Sequence, residues 1–107
     1  MPAIHFVERI GNIRKIPNTQ HEFESGYWAV APETAQKLVG GDLYVHDGRT
    51  KPSRFGGKIL SFRVHSGGQW DGRLIFRFQA TAEHRDVSTS RKGWGNEKKI
   101  VWEQIAV

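Results

Sequence analysis

"SRFGGKILSFRV", residues 53–64, sets two adjacent glycines directly before an apolar run of Ile, Leu, Phe and Val. Short runs of this kind, bounded by Gly, Pro, Asn or Asp, favour extended backbone and read as strands. The glycines admit two explanations: a tight turn feeding the strand, or bare backbone at the rim of a ligand pocket. Arg54, Lys58 and Arg63 flank them.

The surrounding charge is lopsided. From Gly48 to Trp70 the chain carries Arg49, Lys51, Arg54, Lys58 and Arg63 and neither Asp nor Glu, so this block accounts for the whole formal charge of +5. A second basic cluster, Arg91, Lys92, Lys98 and Lys99, is interrupted only by Glu97. Local positive potential attracts polyanions, nucleic acid foremost; solvated surface is the competing reading.

Five further stretches read as strands, roughly 4–10, 27–31, 43–46, 73–82 and 99–105, with the opening stretch contributing 58–65. The clearest is the fifth in order, where Leu74, Phe76, Phe78, Ala80 and Ala82 alternate with Arg73, Arg77, Gln79 and Thr81. Pro32 and Glu33 open a helix that Gly40 and Gly41 end, with Ala35, Leu38 and Val39 on one face. Strands this short and close, with one or two helices, predict an α+β fold: a small, mainly antiparallel, strongly bent β-barrel in a single domain over residues 1–107.

Composition narrows the chemistry. The 107 residues include no Cys, which removes disulfides, thiolate nucleophiles and Cys-ligated zinc and fits a cytoplasmic protein. No apolar run approaches the length of a membrane span, and the N-terminal residues lack a secretory pattern. The histidines His5, His21, His46, His65 and His84 stand at no metal-ligand spacing, and phosphate-cradling glycine motifs are absent, so no metal or cofactor is expected.

Aromatic residues set among basic ones are the most informative feature. Trp94 lies between glycines in "RKGWGNEKK", a segment too polar to be core, and Trp70 sits similarly in "SGGQWDGR". Trp28 and Trp102 read as core residues. Tyr44 and His46 share one face of a strand that ends at the basic block. Stacking on Trp28, Tyr44 and Trp94, edge hydrogen bonds from His46 and Ser53, and phosphate contacts from Arg54, Lys58, Arg63, Arg91, Lys92, Lys98 and Lys99 would together hold a nucleobase.

The run "GYWAVAPETAQKLVGGDLYVHDGRTKPSRFGGKILSFRV" resembles the EVE domain of the PUA-like superfamily, to which YTH and ASCH domains also belong. The likeness rests on Tyr27-Trp28 on an early strand, Gly41-Asp42 opening a strand that ends at His46, and Gly56-Gly57-Lys58-Ile59 opening the next. The resemblance implies a PUA-like bent barrel and a pocket that takes a modified base between aromatic side chains. It puts Trp28, Tyr44 and His46 near that pocket, Gly56 and Gly57 at its backbone edge, and Ser53 and Arg54 in the loop approaching the nucleic acid.

The leading expectation is therefore a non-catalytic module that binds DNA or RNA and reads a modified base. Two alternatives stay open. One is a small metal-dependent nuclease built on Asp71, Glu83 and Asp86; the other is a protein-interaction subunit whose basic loops meet an acidic partner.

Overall fold

The computed structural model describes residues 1–95 and 97–102. Among these residues seven strands form one sheet: β1 (Ala3–Val7), β2 (Ile13–Lys15), β3 (Glu22–Trp28), β4 (Asp42–His46), β5 (Ser53–Val64), β6 (Leu74–Ala80) and β7 (Lys98–Val101). One helix, α1 (Pro32–Leu38), joins β3 to β4, and short 3₁₀ turns cover Gly68–Trp70 and Ala82–His84. The spatial order is β2-β3-β6-β5-β4-β1-β7, antiparallel throughout except for the β1/β4 pair.

Alternation explains the core. Ile4 and Phe6 of β1, Leu43 and Val45 of β4, Ile59 of β5 and Leu74, Phe76 and Phe78 of β6 meet in one cluster with Val30, Ala35 and Leu38 from and beside the helix. Each fully buried Phe here contributes roughly 2–3 kcal/mol of transfer free energy. Ile13 on β2 and Ile100 on β7 both pack against this cluster although they lie on the two outermost strands. Laid flat, six strand spacings would separate those strands by about 29 Å. The sheet is therefore curled around its core. It does not close, because no ladder joins β2 to β7 among the described residues.

The helix starts at Pro32, with Glu33 in its first turn, and buries Ala35 and Leu38. Val39 lies just beyond its end, partly exposed. Gly40 N–H donates to Ile59 O, and Ile59 N–H to Gly41 O, both at 2.9 Å, which ties the helix end to β5. None of the helices among the described residues is long and apolar enough to cross a membrane.

The strands differ from expectation in several places. β2 is not among the expected stretches, and β1 ends at Val7, short of the expected Ile10. β5 begins at Ser53, so the two glycines lie inside a twelve-residue strand rather than before it. β3 begins at Glu22, within a stretch whose charges suggest a loop; Arg77 and Arg63 neutralise Glu22 and Glu24 across the sheet at 2.6 and 3.0 Å. β7 ends at Val101, Trp102 is 47% exposed instead of core, and the remainder of the expected 99–105 strand lies outside the described residues.

Candidate functional site

The two glycines decide where a site cannot be. Gly56 faces Tyr44 in the β4/β5 ladder, and a Cβ there would stand 2.2 Å from Leu43 O; one on Gly57 would stand 2.0 Å from Gln79 O. Bare backbone is needed so that β5 can approach both neighbouring strands, and no open space adjoins it. This corrects the pocket-rim reading of Gly56 and Gly57.

Tyr44 and His46 do share a face of β4, but it is a packed one. The Tyr44 ring stacks on His5 at 4.7 Å, and His84 lies 5.0 Å away on its other side. His46, fully buried, receives the edge-on ring of Trp94 at 5.7 Å. Trp94 thus folds over His5 and His46, and its Nε1 is buried with no hydrogen-bond partner among the described residues. Ser53 is buried as well: its Oγ donates to His84 O at 2.6 Å and accepts from Val87 N–H at 3.0 Å, fastening the segment that leads to Trp94. On this face Asp42 accepts from Lys58 Nζ at 2.7 Å and from His84 Nε2 at 2.9 Å. Burial works against the Asp42 carboxylate, yet the bonds from Lys58 and His84 together hold its pKa below the ordinary value.

A cavity of about 430 Å³ opens beside the end of β1, lined by Val7 and the residues that follow it. Trp28 lines it. The Phe6 ring stacks on Trp28 at 3.8 Å with 12° between planes, and Trp28 Nε1–H donates to Ser25 Oγ at 3.0 Å. A register shift between Ser25 and Trp28 takes β3 away from β6 there and turns Tyr27 into the same wall. The 3₁₀ turn in the β5–β6 hairpin brings up Trp70, whose ring lies parallel to Tyr27 at 5.6 Å, while the Arg73 guanidinium sits 5.7 Å over the Trp70 ring. A smaller cavity of about 130 Å³ adjoins on the far side of Tyr27, beside Arg14 and Glu24.

The rest of the wall comes from the chain leaving β1: Glu8, Arg9, Ile10 and Asn12. Glu8 N–H donates to His46 O at 3.0 Å, and Glu8 Oε1 accepts from Ile10 N–H and Gly11 N–H, both at 2.7 Å. Gly11 makes this turn with φ +76°, where a side chain would be strained. Glu97 and Lys98 close the wall: Arg9 pairs with Glu97 at 3.2 Å, and Lys98 Nζ donates to Ala29 O.

Of the residues expected at a base pocket, Trp28 alone lines this cavity. Tyr27, Trp70, Arg73, Glu8 and Asn12 are the additions; proximity in sequence to Trp28 marks Tyr27, and an aromatic ring in a polar hairpin marks Trp70. Of the expected phosphate contacts, Lys98 lines the cavity, and Arg54 reaches Glu8 O at 3.3 Å while pairing with Asp47 at 2.7 Å. Arg91 and Lys92 are exposed on the loop that carries Trp94. Lys58 is held by Asp42, and Arg63 makes a bidentate pair with Glu24 at 3.0 and 3.1 Å. Lys99 is a correction: it is buried, with its ammonium bonded to Thr89 Oγ1 and to the Ser90 carbonyl and hydroxyl at 2.7, 2.8 and 3.1 Å, so its donors are already engaged within the fold.

The described residues contain no group of three or more His, Asp or Glu that could hold a metal ion, so Asp71, Glu83 and Asp86 do not form one. Compared with protein-family models, curated proteins and solved structures, the chain matches none of them.

Proposed function

We propose that the protein is a non-catalytic nucleic-acid-binding module that holds a modified base in the cavity walled by Tyr27, Trp28 and Trp70. The observation that carries this reading is the cavity itself: three aromatic side chains around about 430 Å³, with Arg9, Arg73 and Lys98 at its edge. That volume falls in the range of about 300–1,000 Å³ usual for small-ligand sites. Aromatic faces bind bases irrespective of sequence, and a base drawn from its stack needs such a surface to offset the few kcal/mol of unstacking.

The surroundings suit a polyanion. β1 and β4 run parallel and end at Val7 and His46, while β5 and β7 begin at that same end. The segments at that end carry Arg9, Arg49 and Lys51 on loops, and Arg54 and Lys98 at the starts of β5 and β7, against the exposed carboxylates Asp47 and Glu97. A curled, mostly antiparallel sheet with one helix also accords with a PUA-like module, whose open edge would be the β2/β7 side.

The test compares an oligonucleotide bearing one modified cytosine or adenine with its plain counterpart at matched salt. Tighter binding to the modified strand, weakening steeply with salt, is expected. Equal affinity for the two strands removes the reader function, and salt-independent or absent binding removes the nucleic-acid function.

A further inference from the structure

We infer that Glu8 is the specificity-determining residue of this cavity, selecting bases that present an amino N–H, of the adenine, cytosine or guanine type, over thymine- or uracil-type bases. The inference rests on the base-binding reading above. Glu8 is only 3% exposed, yet it lines the cavity. A carboxylate that deep is ordinarily paired with a cation. Here the neighbouring cations are engaged elsewhere: Arg9 pairs with Glu97, and Arg54 reaches only the Glu8 carbonyl.

The bonds that the Glu8 side chain makes among the described residues are both on one oxygen. Oε1 takes the Ile10 and Gly11 amides at 2.7 Å each, which fixes the side chain and leaves Oε2 as the acceptor for a ligand. Capping the turn accounts for Oε1. It does not account for the second oxygen of a carboxylate held in the wall of a cavity that Tyr27, Trp28 and Trp70 also line.

Donor and acceptor chemistry then sorts the bases. An exocyclic amine donates to a carboxylate oxygen, as when Glu or Asp accepts from cytosine N4. A uracil-type base has its N3–H between two carbonyl oxygens, so docking that edge sets both against the carboxylate. A singly methylated amine retains one N–H, whereas a dialkylated amine has none. Asn12, in the same wall, carries both a donor and an acceptor for the adjoining ring position.

The experiment titrates the intact protein with cytidine, uridine, N6-methyladenosine and N6,N6-dimethyladenosine, following tryptophan fluorescence. Cytidine is expected to bind about tenfold or more tighter than uridine, and the monomethyl nucleoside tighter than the dimethyl by a similar factor. Glu8→Gln retains an oxygen for the two amides and presents an NH₂ in place of Oε2, so the cytidine preference should collapse or reverse. Equal affinities within each pair, or an unchanged ratio in a folded Glu8→Gln protein, overturn the role of Glu8. If the variant fails to fold, the monomethyl and dimethyl comparison on the native protein decides alone. Failure of every nucleoside and oligonucleotide to bind defeats the base-binding reading itself, an outcome distinct from binding without selectivity.

Discussion

His5 and His46 share a hydrogen bond between ring nitrogens, Nδ1 to Nε2 at 2.8 Å, from the neighbouring parallel strands β1 and β4. Its direction follows from the next link. His46 Nδ1 lies 2.8 Å from Lys51 O, a group that can only accept, so Nδ1 of His46 holds the proton. In a neutral His46 ring Nε2 then accepts, and His5 Nδ1–H donates. The backbone of His46 in turn receives Glu8 N–H, so this pair anchors the strand end from which the cavity wall departs.

Acid should weaken that anchor. Burial, then the charges of His46 and Lys99, lower the His5 pKa from 6.5 to about 4. The unfolded chain therefore takes up a proton near pH 6.5 that the folded protein refuses until about pH 4. Stability is complete above the unfolded value and falls as pH drops through that window, by on the order of 2–3 kcal/mol. Urea unfolding at pH 7 and pH 4.5 measures it, and His5→Gln should flatten the dependence. Identical midpoints at the two pH values for the native protein contradict the assignment.

Gly57→Ala should destabilise the protein by about 1–3 kcal/mol or more, because the added Cβ meets a backbone carbonyl that cannot swing aside. Urea midpoints for this variant and for Gly67→Ala, where φ of +89° would strain the added side chain but no atom lies within 4 Å, separate a clash from a conformational penalty. If the folded Gly57→Ala protein kept full stability and lost only ligand affinity, the pocket-rim reading would return.

That outcome bears on what the sequence makes legible. The alternation in β6 and the punctuation of α1 by Pro32 and Gly40 are local signals and can be read directly. The start of β5 is hidden because glycine lowers strand propensity, and only the carbonyls of strands distant in sequence reveal why it is required. Glu22 and Glu24 hide β3 in the same way, since their partners Arg77 and Arg63 are supplied by strands far along the chain. Trp94 looks like a binding residue because its neighbours are polar; the surface it covers is built from histidines, which hydrophobicity does not mark. Of the cavity, Trp28 is readable beside the core, while its meeting with Trp70 and Glu8 depends on a register shift, a hairpin and a turn.

Trp70 and Trp28 should separate binding from folding. Trp70 sits in a hairpin turn with its ring against Tyr27 and Arg73, so Trp70→Ala should leave the urea midpoint nearly unchanged and weaken oligonucleotide binding about tenfold. Trp28 also packs on Phe6 and the core cluster, and Trp28→Ala should cost about 2–4 kcal/mol of stability as well as the ligand. Unaltered binding by a folded Trp70→Ala protein would place the ligand elsewhere.

The cations should divide by position rather than by number. Lys58 is bound to Asp42 at the start of β4, the end of that strand remote from the cavity-bearing loops. Lys58→Ala loses a partly exposed ion pair, worth about 0–1 kcal/mol, and should leave nucleic-acid affinity and its salt dependence as they were. Arg91 and Lys92 are exposed on the loop beside Trp94, at the end where the basic segments converge. Converting both to Ala should reduce the slope of log affinity against log salt by about 1–2, the amount expected when one or two phosphate contacts are lost. Fluorescence anisotropy over a salt series measures both variants. An equal loss of slope in the two would mean that the whole surface attracts nucleic acid diffusely; a loss confined to the Arg91/Lys92 variant makes the loop that carries Trp94 part of the backbone path.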